Sequence, residues 1–79
     1  MFSKDQISHL KENINRHMCN RAADGAKKID FYLAGLAEEA GMNTLNSMSV
    51  IEDIVLEFLD VEGFYAHTLP NAYMIRVIL

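Results

Sequence analysis

Three histidines and one cysteine, His9, His17, His67 and Cys19, are the side chains in this sequence that bind borderline or soft metals, or that pair as nucleophile and base. Their spacing argues against both uses. His17 and Cys19 stand two apart and leave a helix on different sides, and no recognised ligand spacing joins either to His9 or His67. A cysteine half-buried on a helix behaves as a small inert hydrophobe rather than a nucleophile. The adjacent carboxylates Glu38-Glu39 and Glu52-Asp53 could supply an acid and a base, but neighbouring helical residues diverge and do not flank one substrate atom. Gly-rich phosphate loops, G-x-S-x-G and paired C-x-x-C motifs are missing from the sequence. The expectation is a non-catalytic chain without metal or cofactor.

The most distinctive pattern is a run of carboxylates. Glu52, Asp53, Glu57 and Asp60 fall within roughly 140° of a helix at about 100° per residue, with no lysine or arginine among them. Like charges at such spacings cost about 0.2–0.5 kcal/mol each, so stability alone would favour interspersed cations. Leu56 lies in the same arc. A large apolar residue ringed by carboxylates suits the anchor of a protein interface, whereas the plainer reading has Leu56 widening the core stripe and the carboxylates solvating the exterior.

The charge is unevenly divided. Residues 1–30 hold Lys4, Lys11, Arg16, Arg21, Lys27 and Lys28 against four acids, a surplus of +2; residues 31–79 hold Arg76 against seven acids, a surplus of −6. Arg16, Arg21, Lys27 and Lys28 make a basic patch that could meet nucleic acid or only solvate helix faces. With 79 residues, 51% hydrophobic and 23% charged, the chain has the mixture of one globular domain spanning residues 1–79 and too little length for a second core. One cysteine makes no internal disulfide, and no stretch approaches the roughly 18 apolar residues of a membrane span, so a cytoplasmic protein without a leader is expected.

The elements that would position these residues can be read in order. Ser3 and Gln6 form a capping box, Phe2 and Ile7 a hydrophobic staple, and Ile7, Leu10, Ile14 and Met18 an apolar stripe, which together start a first helix. Ala22, Ala26, Ile29, Leu33, Leu36 and Ala40 continue a period near 3.6 up to Gly41, predicting either one long helix from Ser3 to Ala40 or, as the short chain favours, a second helix after a break near residues 19–22. Residues 43–47 read as a loop. Ser49 and Glu52 suggest another capping box, opening a third helix to about Asp60, with Ile51, Ile54, Val55, Phe58 and Leu59 on its apolar arc. From Phe64 the period becomes two. A turn at 69–72 around Pro70 then predicts a hairpin with Thr68 opposite Tyr73, Ala66 opposite Ile75 and Phe64 opposite Val77, leaving Tyr65, His67, Met74 and Arg76 on the other face.

The predicted fold is therefore α+β, two to three N-terminal helices followed by a C-terminal antiparallel β-hairpin. That order is similar to a winged-helix module, whose third helix enters the DNA major groove and whose hairpin is the wing. The resemblance is one of layout, without a family motif. It implies DNA reading, yet no lysine or arginine stands between Lys28 and Arg76, so the reading helix would repel phosphates. The edges of a two-stranded hairpin call for cover, which a second copy pairing along the C-terminal strand could supply.

These readings converge on a protein-binding module that meets a basic partner surface through Glu52, Asp53, Leu56, Glu57, Asp60, Tyr65, His67 and Arg76. One form is an acidic inhibitor that imitates nucleic acid and blocks a nucleic-acid-handling protein, as small phage-encoded inhibitors of host defence do. The alternative is a small dimeric winged-helix-like DNA-binding regulator using the basic N-terminal helices.

Overall fold

A computed structural model of the chain describes residues 2–42, 48–69 and 73–79. Helix α1 spans Lys4–Ala23, strand β1 Lys28–Tyr32, helix α2 Leu33–Glu39, helix α3 Met48–Val61, strand β2 Tyr65–Leu69 and strand β3 Met74–Ile78. The α+β class holds, and so does the order of three helices and a closing hairpin, with one strand inserted between the first two helices.

Helix α1 begins where the sequence says. The Ser3 hydroxyl accepts from the Gln6 amide at 3.1 Å, and the Gln6 side-chain oxygen accepts from the Ser3 amide at 2.9 Å, so two otherwise orphaned donors are satisfied. The expected break at 19–22 is not there. The helix runs on to Ala23, because the residue able to reverse the chain is Gly25, whose φ of +82° lies in the left-handed region that glycine enters without steric cost. Gly25 and Ala26 then donate to the carbonyls of Ala22 and Arg21, both at 3.0 Å, closing the helix end.

The predicted second helix is mostly a strand. Lys28–Tyr32 alternates outward Lys28, Asp30 and Tyr32 with buried Ile29 and Phe31, a period of two that β-branched and aromatic residues favour. Only Leu33–Glu39 is helical, and it buries Leu33, Leu36 and Ala37. Ile29 was in phase with that helix by coincidence. Likewise α3 begins at Met48, so Ser49 lies inside it and cannot be its cap. The loop expected at 43–47 and the Pro70 turn fall outside the described residues.

The sheet has three antiparallel strands in the order β1-β3-β2. The hairpin keeps its predicted faces but slips by two residues: Ala66 pairs with Val77, Thr68 with Ile75 and His67 with Arg76. A shift of two preserves every side chain's face, which is why the apolar pattern could not detect it. The C-terminal strand is the centre of the sheet, with β1 on one side and β2 on the other. It therefore has no free edge for a second copy, and the open edges belong to β1 and β2. The helices cover the sheet face that bears Ile29, Phe31, Ile75 and Val77, and Leu10, Ile14, Ile51, Val55 and Leu59 complete a core with no buried polar side chain among the described residues.

Candidate interaction surfaces

The eight residues singled out from sequence divide between two surfaces. Five are on α3, whose buried stripe is Ile51, Val55 and Leu59. Asp53, Glu57 and Asp60 are exposed on the side opposite that stripe, and Glu52 is half-buried at its margin. Among the described residues none of these four carboxylates takes part in a salt bridge. Leu56 is half-buried and packs against the core, so part of the apolar surface expected of an anchor is spent inside the protein.

The other three meet on the outer face of the sheet, which turns away from the helices. Strand pairing sets Asp30, Arg76 and His67 in one row, Lys28, Ile78 and Tyr65 in the next, and Tyr32, Met74 and Leu69 in the third. Tyr65 and Tyr32 are 70% and 62% exposed, and the Tyr65 and His67 rings lie 5.9 Å apart, tilted by 57°. Arg76 donates from Nε to Asp30 Oδ1 at 2.8 Å and from Nη2 to Oδ2 at 3.0 Å. This fork holds the Asp30 carboxyl below its ordinary pKa of 3.8, chiefly through the hydrogen bond, and raises that of Arg76 in return. Exposed tyrosines beside Met74 and a rigid arginine are the residue types that interfaces favour. Asp30 and Tyr32 escape sequence reasoning because the helical phase of the neighbouring apolar residues covers them; the alternation Lys-Ile-Asp-Phe-Tyr is the signal that could place them.

A third group joins α1 to α2. Glu39 accepts from Arg16 Nη2 at 3.2 Å and lies 3.3 Å from His17 Nε2, while the His17 ring meets Phe31 edge-on at 6.1 Å. Beside them opens a shallow cavity of about 220 Å³, lined by Arg21, Asp30, Tyr32 and Glu39 among others. Glu39 is thus a tether between helices. His9 and Cys19 are exposed and stand apart from this cluster. No three His, Cys, Asp or Glu among the described residues are arranged to hold a metal ion, and no described helix is long and apolar enough to cross a membrane.

Fold and surfaces together define a small α+β chain of winged-helix-like order whose third helix is acidic where a DNA reader would be basic. No protein-family model, curated protein or solved structure matches it.

Proposed function

We propose that this chain is a non-catalytic protein-binding module that sets its acidic third helix against a basic partner surface, in the manner of a nucleic-acid mimic that blocks a nucleic-acid-handling protein. The observation that carries the reading is the set of carboxylates on α3 without a counter-ion among the described residues. Glu52 to Asp60 rise about 12 Å along the helix, with uneven axial steps of about 1.5, 6 and 4.5 Å between successive carboxylates and a mean of about 4 Å, near the roughly 3.4 Å per phosphate of one DNA strand. At physiological salt, screening acts over about 8 Å, so neighbouring carboxylates present a continuous negative stripe to a partner in contact. The same stripe opposes insertion of α3 into a DNA groove.

The layout itself favours a second reading, a dimeric DNA-binding regulator that meets phosphates through exposed Arg21, Lys27 and Lys28 at the junction of α1 and β1. Capture from a lysate of the native host separates the two. Wild type should recover a nucleic-acid-handling protein that a Glu57→Lys, Asp60→Lys variant, altered only at exposed positions, does not. Equal recovery by both baits, or a salt-sensitive shift of duplex DNA by the wild type, would overturn the acidic-helix reading in favour of the regulator.

A further inference from the structure

Helix α3 has more apolar surface than the core consumes. Beside the buried stripe of Ile51, Val55 and Leu59 runs a second one, Val50, Ile54, Phe58 and Val61, at steps of four, four and three residues. Val50 and Val61 are 50% and 77% exposed, and Ile54 and Phe58 are half-buried. Helices α1 and α3 both lean on α2 and approach each other less closely than either approaches it. The gap between them is a cleft of about 530 Å³, walled on one side by Ile54, Phe58 and Val61 and on the other by Ile7 and Lys11.

The charges around this cleft are unequal. The Lys11 ammonium is folded 5.6 Å over the centre of the Phe58 ring, where the ring's quadrupole attracts it. Glu57 and Glu62 stand on the α3 side, and Asp53 and Asp60 lie just beyond on the exposed face. An apolar floor with a negative rim along α3 and the Lys11 cation on the α1 side selects an occupant with an apolar stripe and a basic flank turned toward α3. The second stripe is about 17 Å long, some three helical turns, and its i, i+4 spacing offers grooves to the ridges of another helix.

We infer that the α1–α3 cleft docks an amphipathic helix of a partner protein, apolar on the face turned into the cleft and lysine- or arginine-rich on the flank beside Glu57 and Glu62. This rests on the reading of α3 as a partner-binding helix and adds the form of the partner segment. The acidic face steers and aligns the segment, and the exposed valines anchor it.

Titration of the isotope-labelled full chain with three synthetic peptides of about four helical turns tests this by amide chemical shifts. One peptide carries a leucine stripe with lysine flanks, one the same stripe with glutamate flanks, and one lysines with serine in place of leucine. The leucine–lysine peptide should bind saturably and move the amides of Val50, Ile54, Phe58, Val61 and Lys11. The other two should bind at least about tenfold more weakly, and Val50→Ser with Val61→Ser should weaken the first peptide by about tenfold. Equal binding of both lysine peptides, with shifts confined to Asp53, Glu57 and Asp60, would overturn the cleft while leaving the acidic-face reading standing. Equal binding of the glutamate-flanked peptide, or no binding of the leucine–lysine peptide at about 1 mM, would also overturn it, with the lysate capture deciding the acidic-face reading separately.

Discussion

Arg76 and Asp30, 46 residues apart in sequence, face each other across neighbouring strands and form a two-point ion pair, Nε to Oδ1 at 2.8 Å and Nη2 to Oδ2 at 3.0 Å. The pair fastens β1 to the central strand on the outer face of the sheet, each side chain about one-third exposed. Because Arg76 holds the Asp30 carboxyl below 3.8, the folded state binds that proton more weakly than the unfolded chain does. The resulting stabilisation is complete above about pH 5 and is lost as the pH falls toward and through the lower folded value. Asp30→Asn should therefore lower the Tm at pH 7, and the gap from wild type should close as the pH drops below 3.8. Thermal unfolding followed by circular dichroism across pH 2 to 7 checks this, and a gap independent of pH would contradict it.

Ile75 and Ile78 are three residues apart on β3 and face opposite ways. Ile75 is fully buried, whereas Ile78 is exposed on the outer face. Ile75→Ala should cost about 2–5 kcal/mol in urea unfolding, and Ile78→Ser should stay within about 0.5 kcal/mol. Comparable losses would mean that the strand's faces are assigned wrongly.

Gln6 serves two elements at once. Its Oε1 completes the cap with the Ser3 amide while its Nε2 donates at 2.9 Å to the Gly41 carbonyl just past α2. Gln6→Glu keeps the first contact and replaces the second with an oxygen facing an oxygen, so it should destabilise by about 0.5–1.5 kcal/mol, although glutamate is otherwise equally suited to the cap. Ser3→Ala should cost about 1 kcal/mol. Urea unfolding of the two variants measures both.

Strand order predicts a pattern of amide exchange. The β3 amides point alternately to β1 and to β2 and so find ladder partners on either side, while β1 and β2 each turn half of theirs to an open edge. Exchange followed by NMR should find the β3 amides the slowest of the sheet. Slower exchange in β2 than in β3 would contradict the β1-β3-β2 order.

The sequence disclosed most of what is locally encoded. The Ser3–Gln6 box, the α1 stripe, the apolar arc of α3 and the two faces of the hairpin are each set by residues within a few positions of one another. What escaped depends on distant partners. Lys28–Tyr32 is a strand because β3, more than 40 residues later, offers it an edge; nearby Leu33, Leu36 and Ala40 impose a helical phase that Ile29 happens to share. The register slipped for a related reason, since a two-residue offset leaves the inward set unchanged. The candidate residues were legible as types, and the acidic arc of α3 followed from spacing alone. The row joining Asp30 to Arg76 and His67 was not legible, because Asp30 sits on a strand whose local sequence carries a helical phase.

The central place of β3 also governs how the chain can assemble as it leaves the ribosome. When β1 emerges, the segment it must pair with is not yet clear of the ribosome, and β2 follows only shortly before β3. Helices can form early from their own caps and stripes, but Ile29 and Phe31 have no sheet to join until Ile75 and Val77 are clear of the exit tunnel. Productive folding is then a late, nearly single event. Until it occurs, the nascent chain exposes β1 without its partner, and any stall in translation before β3 leaves that strand available to bind elsewhere.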